Sequence, residues 1–410
     1  MKHTRIILMI ALLGAAAAGL PGLRGATITV TEVGDGLGVQ TSLRQALVDA
    51  NDGDTIEFAP QLGGYTLGLM PSLGELVVNK SVTIRWVPQA GYPAYLGVSS
   101  WHVSRVFEIS PGKTVTISGL TILNGSAELP NYWGGGIYND HANLTLNNCT
   151  ISGNTADQGS GGGIYNDGFG GNATLTISNC TISGNSAWPG GGIFNDSGTV
   201  TITNSTLSGN SDNGYNFGGA IVNIGALTIS NSTLSGNSAA SGGAIYNWSG
   251  ATLTITNNTF SGNFCGTGFN AHGGGIVNEG GTVKIGNTIF NAGPVGENIY
   301  NVQQLGPVTS LGYNLSSDAG GGCLTATGDR INTDPKLGPL QNNGGPTFTH
   351  LPASDSPAID GSDPALSMDQ RGPGFARVVN GRADIGAVEV QAAPSPTPTP
   401  TPTPRPHGRH

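Results

Sequence analysis

Charge is scarce in this sequence. Charged residues make up 10% of its 410 residues, and no Lys or Arg occurs between Lys113 and Lys284. Seven acidic residues fall in that same stretch. A surface without cations cannot neutralise phosphates, so the composition argues against nucleic acid as a partner. It disfavours anionic polysaccharides along the central part of the chain for the same reason.

Long apolar runs are also scarce. The one candidate, residues 6–18, follows Lys2 and Arg5 and precedes small residues around Ala26. It is too short to span a bilayer comfortably, and this layout predicts a cleaved signal peptide in residues 1–26. No later stretch is apolar enough to span a membrane. We therefore expect a secreted, extracellular or bacterial cell-surface protein.

Only four cysteines are present. Cys149 and Cys180 occupy the same position in adjacent repeats, where parallel Cβ vectors would strain a bridge, so we favour stacked, reduced thiols over a disulfide. For Cys265 and Cys323, a disulfide and two free thiols both remain open.

Glycine, in contrast, is abundant, with 68 residues, and it falls at fixed places. A short motif of Gly-Gly or a variant, Ile, an aromatic residue or Val, and Asn occurs seven times, with 23 to 31 residues between successive isoleucines. Its isoleucines are Ile137, Ile164, Ile193, Ile221, Ile245, Ile276 and Ile299. A period in this range is typical of a solenoid, in which each unit buries its apolar face against its neighbours.

A second marker lies in each unit, as in the Leu-Thr-Ile-Ser run that begins at Leu175. Its apolar/polar alternation predicts short strands with one face inward, and the Asn and Ser-Gly-Asn punctuation predicts turns. Three strands and three turns per repeat describe one rung of a parallel β-helix. We assign the rungs to residues 106–310 and an N-terminal cap to residues 27–105. The cap includes a short helix over residues 42–51, N-capped by Ser42.

Several motifs resemble known families. The stretch 42–58 resembles the start of secreted bacterial right-handed parallel β-helix proteins of the pectin-lyase-like superfamily, and the Gly-Gly-Ile repeats are similar to those of polymorphic outer-membrane adhesins. Residues 332–350, 356–360, 369–372 and 384–389 resemble the choice-of-anchor Q domain. The resemblance implies an all-β, right-handed parallel β-helix, export and surface display, with no defined reaction.

The C-terminal part divides in two. Residues 311–390 form the Q-like region, in which Asp360, Asp369, Arg371 and Asp384 are expected to build a buried network that closes the C-terminal end, with a calcium or ligand site as the alternative. Residues 391–410 form a Pro-Thr spacer of extended polyproline type.

Three acidic residues follow the repeated Asn: Asp140, Asp167 and Asp196. On successive rungs they would stand roughly 5 Å apart. The favoured interpretation is turn chemistry at an exposed edge. A Ca²⁺ site and a catalytic carboxylate pair are the alternatives. No other cofactor or metal is predicted, because no zinc-type spacing or nucleotide loop occurs.

The aromatic position of the repeat gives a second column. It contains Tyr138, Tyr165, Phe194, Tyr246 and Tyr300. If the preceding Ile points inward, strand alternation turns these rings outward, where they could stack on sugar rings or pack on a partner. The favoured interpretation is that the rings stack on one another beneath a covering loop, and the binding surface is the alternative.

These observations favour a non-catalytic, adhesin-like or carbohydrate-binding module on a carbohydrate or cell-surface partner. A polysaccharide hydrolase or lyase is the alternative. It is disfavoured because the central rungs offer no Lys or Arg to serve as a base.

Overall fold

The computed structural model describes residues 25–36, 38, 41–127, 132–213, 217–267, 271–362, 368–379 and 381–391. The predicted signal peptide and Pro-Thr spacer lie outside these residues, apart from residues 25, 26 and 391. In the described part, no helix has the length and apolar character needed to cross a membrane.

Three long parallel sheets wrap around one apolar interior, and their strands pair in register from rung to rung. The strands of the eleven-stranded sheet are Thr27–Val30, Thr55–Phe58, Thr83–Arg85, Thr114–Ser118, Asn143–Asn147, Thr174–Ser178, Thr199–Thr203, Ala226–Ser230, Thr252–Thr256, Thr282–Gly286 and Val308–Gly312. The strands of the ten-stranded sheet are Thr66–Gly68, Gly97–Ser99, Thr121–Leu123, Thr150–Ser152, Thr181–Ser183, Thr206–Ser208, Thr233–Ser235, Thr259–Ser261, Ile289–Asn291 and Leu315–Ser316.

The third long sheet has nine strands, and two shorter sheets complete the fold. The strands of the nine-stranded sheet are Leu76–Val78, Phe107–Ile109, Ile137–Asp140, Ile164–Asp167, Ile193–Asp196, Ile221–Asn223, Ile245–Asn247, Ile276–Asn278 and Ile299–Asn301. A five-stranded sheet contains Thr155–Ala156, Ser186–Ala187, Ser211–Asp212, Ser238–Ala239 and Phe264–Cys265, and an antiparallel pair contains Leu337–Gln341 and Thr349–Pro352. Short 3₁₀ turns lie at Pro60–Leu62, Pro71–Leu73, Val302–Gln304 and Gly320–Gly322.

The predicted interior is confirmed. The repeat isoleucines pair with one another, as Ile137 does with Ile164, and all seven are buried. The predicted helix spans Leu43–Asp49, and the Ser42 hydroxyl accepts a hydrogen bond from the Gln45 backbone N–H at 3.1 Å. Cys149 and Cys180 are buried free thiols, and Cys265 and Cys323 are free as well.

Two ladders of buried asparagines fasten the turns. In the first ladder, Asn139 donates from Nδ2 to Asn166 Oδ1 at 2.7 Å, and the same bond repeats on every following rung as far as Asn301. In the second, Asn154 donates to Asn185 at 2.9 Å, and this bond repeats as far as Asn263. Because every amide in a ladder donates towards the next rung, buried turn groups find partners.

The charged residues of the Q-like region do not close the C-terminal end as expected. Its described residues within 337–391, which we call the returning segment, run back along the outer face of the ten-stranded sheet. Gln370 Nε2 donates to Thr206 Oγ1 at 2.9 Å, and Ala387 N donates to Thr259 Oγ1 at 3.1 Å. The predicted buried network exists within it. Arg371 pairs with Asp369, and Asp384 accepts from Asp360 N at 2.8 Å.

Candidate functional site

The acidic column lies at the end of the nine-stranded sheet, where each strand turns into the eleven-stranded sheet. Asp140 pairs in register with Asp167, and Asp196 follows on the next rung. The tyrosine of one rung donates to the acid of the next: Tyr138 Oη lies 2.7 Å from Asp167 Oδ2, and Tyr165 Oη lies 2.6 Å from Asp196 Oδ2. Hydrogen bonds between successive rungs therefore link the two columns predicted from the sequence.

The same bond returns after a gap. Ile224 and Trp248 interrupt the acidic column, and Tyr246 then donates to Glu279 Oε2 at 2.6 Å. Burial, and then the hydrogen bond to the acid, raise the pKa of Tyr138, Tyr165 and Tyr246 well above that of a free phenol. These tyrosines stay protonated and act as donors across the physiological range.

The aromatic column is not an exposed stacking row. Its side chains point out of the coil, as alternation predicts, but Tyr165, Phe194 and Tyr246 are only 5%, 8% and 5% exposed, and Tyr138 and Tyr300 are half-buried. The rings cover one another, and side chains from the preceding Gly-rich loops add to the cover. Tyr165 stacks on Phe194 at 5.2 Å and beneath Trp133 at 5.5 Å between ring centroids. For the three central rings, the stacking beneath a covering loop is therefore confirmed and the exposed sugar-stacking row is wrong.

The N-terminal end of the two columns holds the densest group of ionisable side chains. Glu108 pairs in register with Tyr138, and Arg105 Nη1 lies 3.1 Å from Glu108 Oε2. The Arg105 guanidinium also lies over the Tyr138 ring at 4.9 Å. Burial raises the pKa of the Glu108 carboxyl, which Arg105 partly offsets, and burial lowers the pKa of Arg105.

His141 joins this end to the acidic column. Its Nδ1 lies 2.5 Å from Asp140 Oδ1, and its Nε2 lies 2.9 Å from the Phe169 carbonyl oxygen. Since both nitrogens face acceptors, the imidazolium form fits best, and Asp140 and then Phe169 raise the pKa of His141. Ligand atoms of Asp140, His141 and Asp167 lie within 4.8 Å of one another. A cation could take this place only by displacing the imidazole proton.

Arg105 and Glu108 are not among the residues predicted from the sequence. Both precede the Gly-Gly-Ile repeats and the central stretch from which the acidic column was predicted. The repeat spacing holds the missing signal, since Glu108 stands one repeat length before Tyr138 and continues its column.

Comparisons with known proteins agree on the fold. A family model described as "Right handed beta helix region" matches residues 105–290. The crystal structure of pectate lyase Pel9A matches with a TM-score of 0.50 at 15% identity, covering 89% of this chain and 96% of that chain. The structure of the PL6 family alginate lyase AlyGC matches with a TM-score of 0.27 at 15% identity, covering 91% and 59%. No curated protein matches the sequence. The family model and the Pel9A structure establish the fold alone, a right-handed parallel β-helix.

Proposed function

We propose that this right-handed β-helix is an extracellular, non-catalytic module that binds neutral polysaccharide. The observation that carries the proposal is the outer face of the eleven-stranded sheet. An unbroken column of nine paired threonines crosses it. The column consists of Thr27, Thr55, Thr83, Thr116, Thr145, Thr176, Thr201, Thr228 and Thr254.

The central part of this face offers hydroxyls without charge, between Arg85 on one side and Lys284 on the other. Neighbouring threonines stand ~4.8 Å apart along the stack, and each hydroxyl can donate one hydrogen bond and accept two. From Thr114–Ser118 to Thr252–Thr256, the outward positions of the six strands hold only Thr, Ser, Asn and Ala. Such a face suits an extended polymer of neutral sugars and offers a polyanion no counter-charge.

A second candidate is a polysaccharide-active enzyme that uses the cluster of Glu108, Asp140, His141 and Asp167. The clustering of these acids beside Arg105 favours it. Existing bonds weigh against it, because Asp167 already accepts from Tyr138 Oη and from Phe169 N at 3.1 Å. A carboxylate that accepts both of these hydrogen bonds serves mainly to fix the turn.

Export and surface display rest on the resemblance of the N-terminal and C-terminal motifs.

Retention on insoluble polysaccharides tests the proposal. The full chain is incubated with cellulose, chitin and mannan, and with polygalacturonate and alginate as anionic counterparts. We expect retention on a neutral polymer with no new reducing ends. The double variant Thr176→Lys/Thr228→Lys should weaken retention about tenfold, because hydroxyl partners cannot compensate two desolvated ammonium groups.

Ala353→Lys/Ser354→Lys, which adds the same two charges at exposed positions of the returning segment, is the matched control and should bind normally. No retention on any polymer would overturn the proposal. New reducing ends or unsaturated products that Asp167→Asn abolishes would replace it with the enzyme.

A further inference from the structure

Two exposed aromatic side chains rest on the outer face of the ten-stranded sheet, near its N-terminal end. Trp101 is 57% exposed and Tyr95 is 39% exposed. They lie over adjacent strands, Thr66–Gly68 and Gly97–Ser99, which pair in register. Neither ring belongs to the repeat column or to the acidic cluster.

Each ring packs closely against a glycine. A Cβ at Gly68 would lie 2.5 Å from Trp101 Nε1, and a Cβ at Gly97 would collide with the Tyr95 hydroxyl. Both glycines hold outward positions of strands, where glycine weakens a strand and often marks the close approach of another group. The sequence thus gives up strand stability at the two points where the rings lie.

The rings are also held in place. Tyr95 Oη and Thr66 Oγ1 are 2.8 Å apart, and Trp101 N donates to Ser99 Oγ at 3.1 Å. Trp101 and His102 have φ values of 56° and 63°, a conformation that costs a bulky residue free energy. An indole fixed by such a backbone, yet more than half exposed, is pre-organised towards solvent.

A shelf of hydroxyls continues from the rings. The next three strands, Thr121–Leu123, Thr150–Ser152 and Thr181–Ser183, present Thr at one outward position and Leu or Ser at the other, and their outward positions carry no charge. At the following strand Thr206 Oγ1 donates to the Phe348 carbonyl oxygen at 2.6 Å, so the returning segment ends the shelf. The open shelf spans five strands, or ~20 Å.

We propose that Trp101, Tyr95 and the adjoining shelf form a binding site for a neutral oligosaccharide. A pyranose ring has a face of C–H groups that packs on an aromatic ring, while its hydroxyls point sideways to hydrogen-bonding partners. Trp101 and Tyr95 supply the rings, and Thr121, Thr150 and Thr181 supply hydroxyls. The absence of charge at the outward strand positions selects neutral sugars. The shelf is a second site on a different sheet from the threonine column, and this inference rests on the proposed function.

Calorimetric and fluorescence titration of the full chain tests the site. The probes are soluble gluco-, chito-, manno- and xylo-oligosaccharides, with oligogalacturonate as the charged counterpart. We expect one neutral series to bind and to change tryptophan emission. Trp101→Ala should weaken binding by about tenfold or more, as truncation of a central aromatic anchor does. Trp101→Phe, which keeps a ring, should retain part of the affinity.

Trp188→Ala is the matched control, because Trp188 is 49% exposed and lies outside the shelf. It should bind like the unaltered chain. Gly97→Ala should also weaken binding, since its methyl group would push the Tyr95 ring out of place. Circular dichroism confirms that each variant is folded.

The outcomes separate the two proposals. If neutral polysaccharide retains the chain but Trp101→Ala and Gly97→Ala bind as the unaltered chain does, the shelf proposal fails and the proposed function stands. If the unaltered chain binds no neutral sugar, soluble or insoluble, both fail. Binding of oligogalacturonate, or of an apolar peptide, in place of neutral sugar at Trp101 would also overturn the site.

Discussion

The two halves of the ten-stranded sheet carry nearly the same outward pattern and have opposite surroundings. In the N-terminal half, the Thr and Ser side chains of Thr150–Ser152 and Thr181–Ser183 are partly exposed. In the C-terminal half, those of Thr233–Ser235 and Thr259–Ser261 are buried beneath the returning segment. Thr233 Oγ1 donates to Gln370 Oε1 at 2.6 Å, and Ser235 Oγ lies 2.9 Å from His350 Nε2. The same strand therefore serves as open surface or as intramolecular interface, depending on a segment far away in the chain.

The largest expected effect comes from breaking the buried ion pair of the returning segment. Arg371→Ala leaves Asp369, which is fully buried, without its counter-charge, and this should destabilise the segment by about 3–5 kcal/mol. Hydrogen exchange at residues 368–372 and at the strands Thr206–Ser208 and Thr233–Ser235 measures the loss.

Lys336→Ala removes an ion pair with Asp355 that is solvent-exposed, and it should leave exchange unchanged. Equal effects from the two substitutions would mean that the segment does not depend on its buried charges.

A smaller effect should distinguish the two halves directly. Thr233→Val removes a buried donor and leaves Gln370 Oε1 unsatisfied, which should cost about 1–3 kcal/mol. Thr181→Val makes the same change in the open half and should stay within about 0.5 kcal/mol. Urea denaturation of the two variants measures the difference. Matching losses would show that the C-terminal half is not covered in solution.

The smallest effect should depend on pH. Burial, and then the Asp384 carboxylate, raise the pKa of Glu389 from 4.5 to about 7, while hydrogen bonds from the Asp384 and Val379 backbone N–H groups and then the charge of Arg377 partly offset them. Because the folded pKa lies above the unfolded one, the contribution of Glu389 is fully present below pH 4.5 and is lost as the pH rises through about 7. Exchange of the covered half, corrected for intrinsic rates, should therefore quicken between these values.

Glu389→Gln cannot ionise and should flatten this dependence. His350 acts in the opposite direction, since burial lowers its pKa and its contribution is lost as the pH falls. An unchanged profile in Glu389→Gln would assign the pH dependence to another group.

The sequence predicts the coil well and the contacts across it poorly. The isoleucine and asparagine columns can be predicted because the same motif recurs in every rung. The register of each strand is therefore set by residues within its own repeat. The cover over Tyr165 comes from Trp133, in a loop whose length varies from repeat to repeat. Gln370 donates a hydrogen bond to the carbonyl oxygen of Ser205, 165 residues away, and no periodic pattern in the sequence predicts this contact. The repeat spacing predicts that the acids lie on successive rungs. It does not predict their hydrogen bonds with the tyrosines, which depend on the directions of the side chains.

The asparagine ladder has a direction. Asn139 Oδ1, the first acceptor of its ladder, has no hydrogen-bond partner, because Ile109 occupies the preceding register position. At the other end Asn301 donates to the Gly306 carbonyl oxygen at 3.0 Å. The tyrosine-to-acid bonds point the same way. Each rung therefore offers amide donors to the rung that follows it and amide acceptors to the rung that precedes it, so the ladder gives the coil a polarity that runs from its N-terminal to its C-terminal rungs.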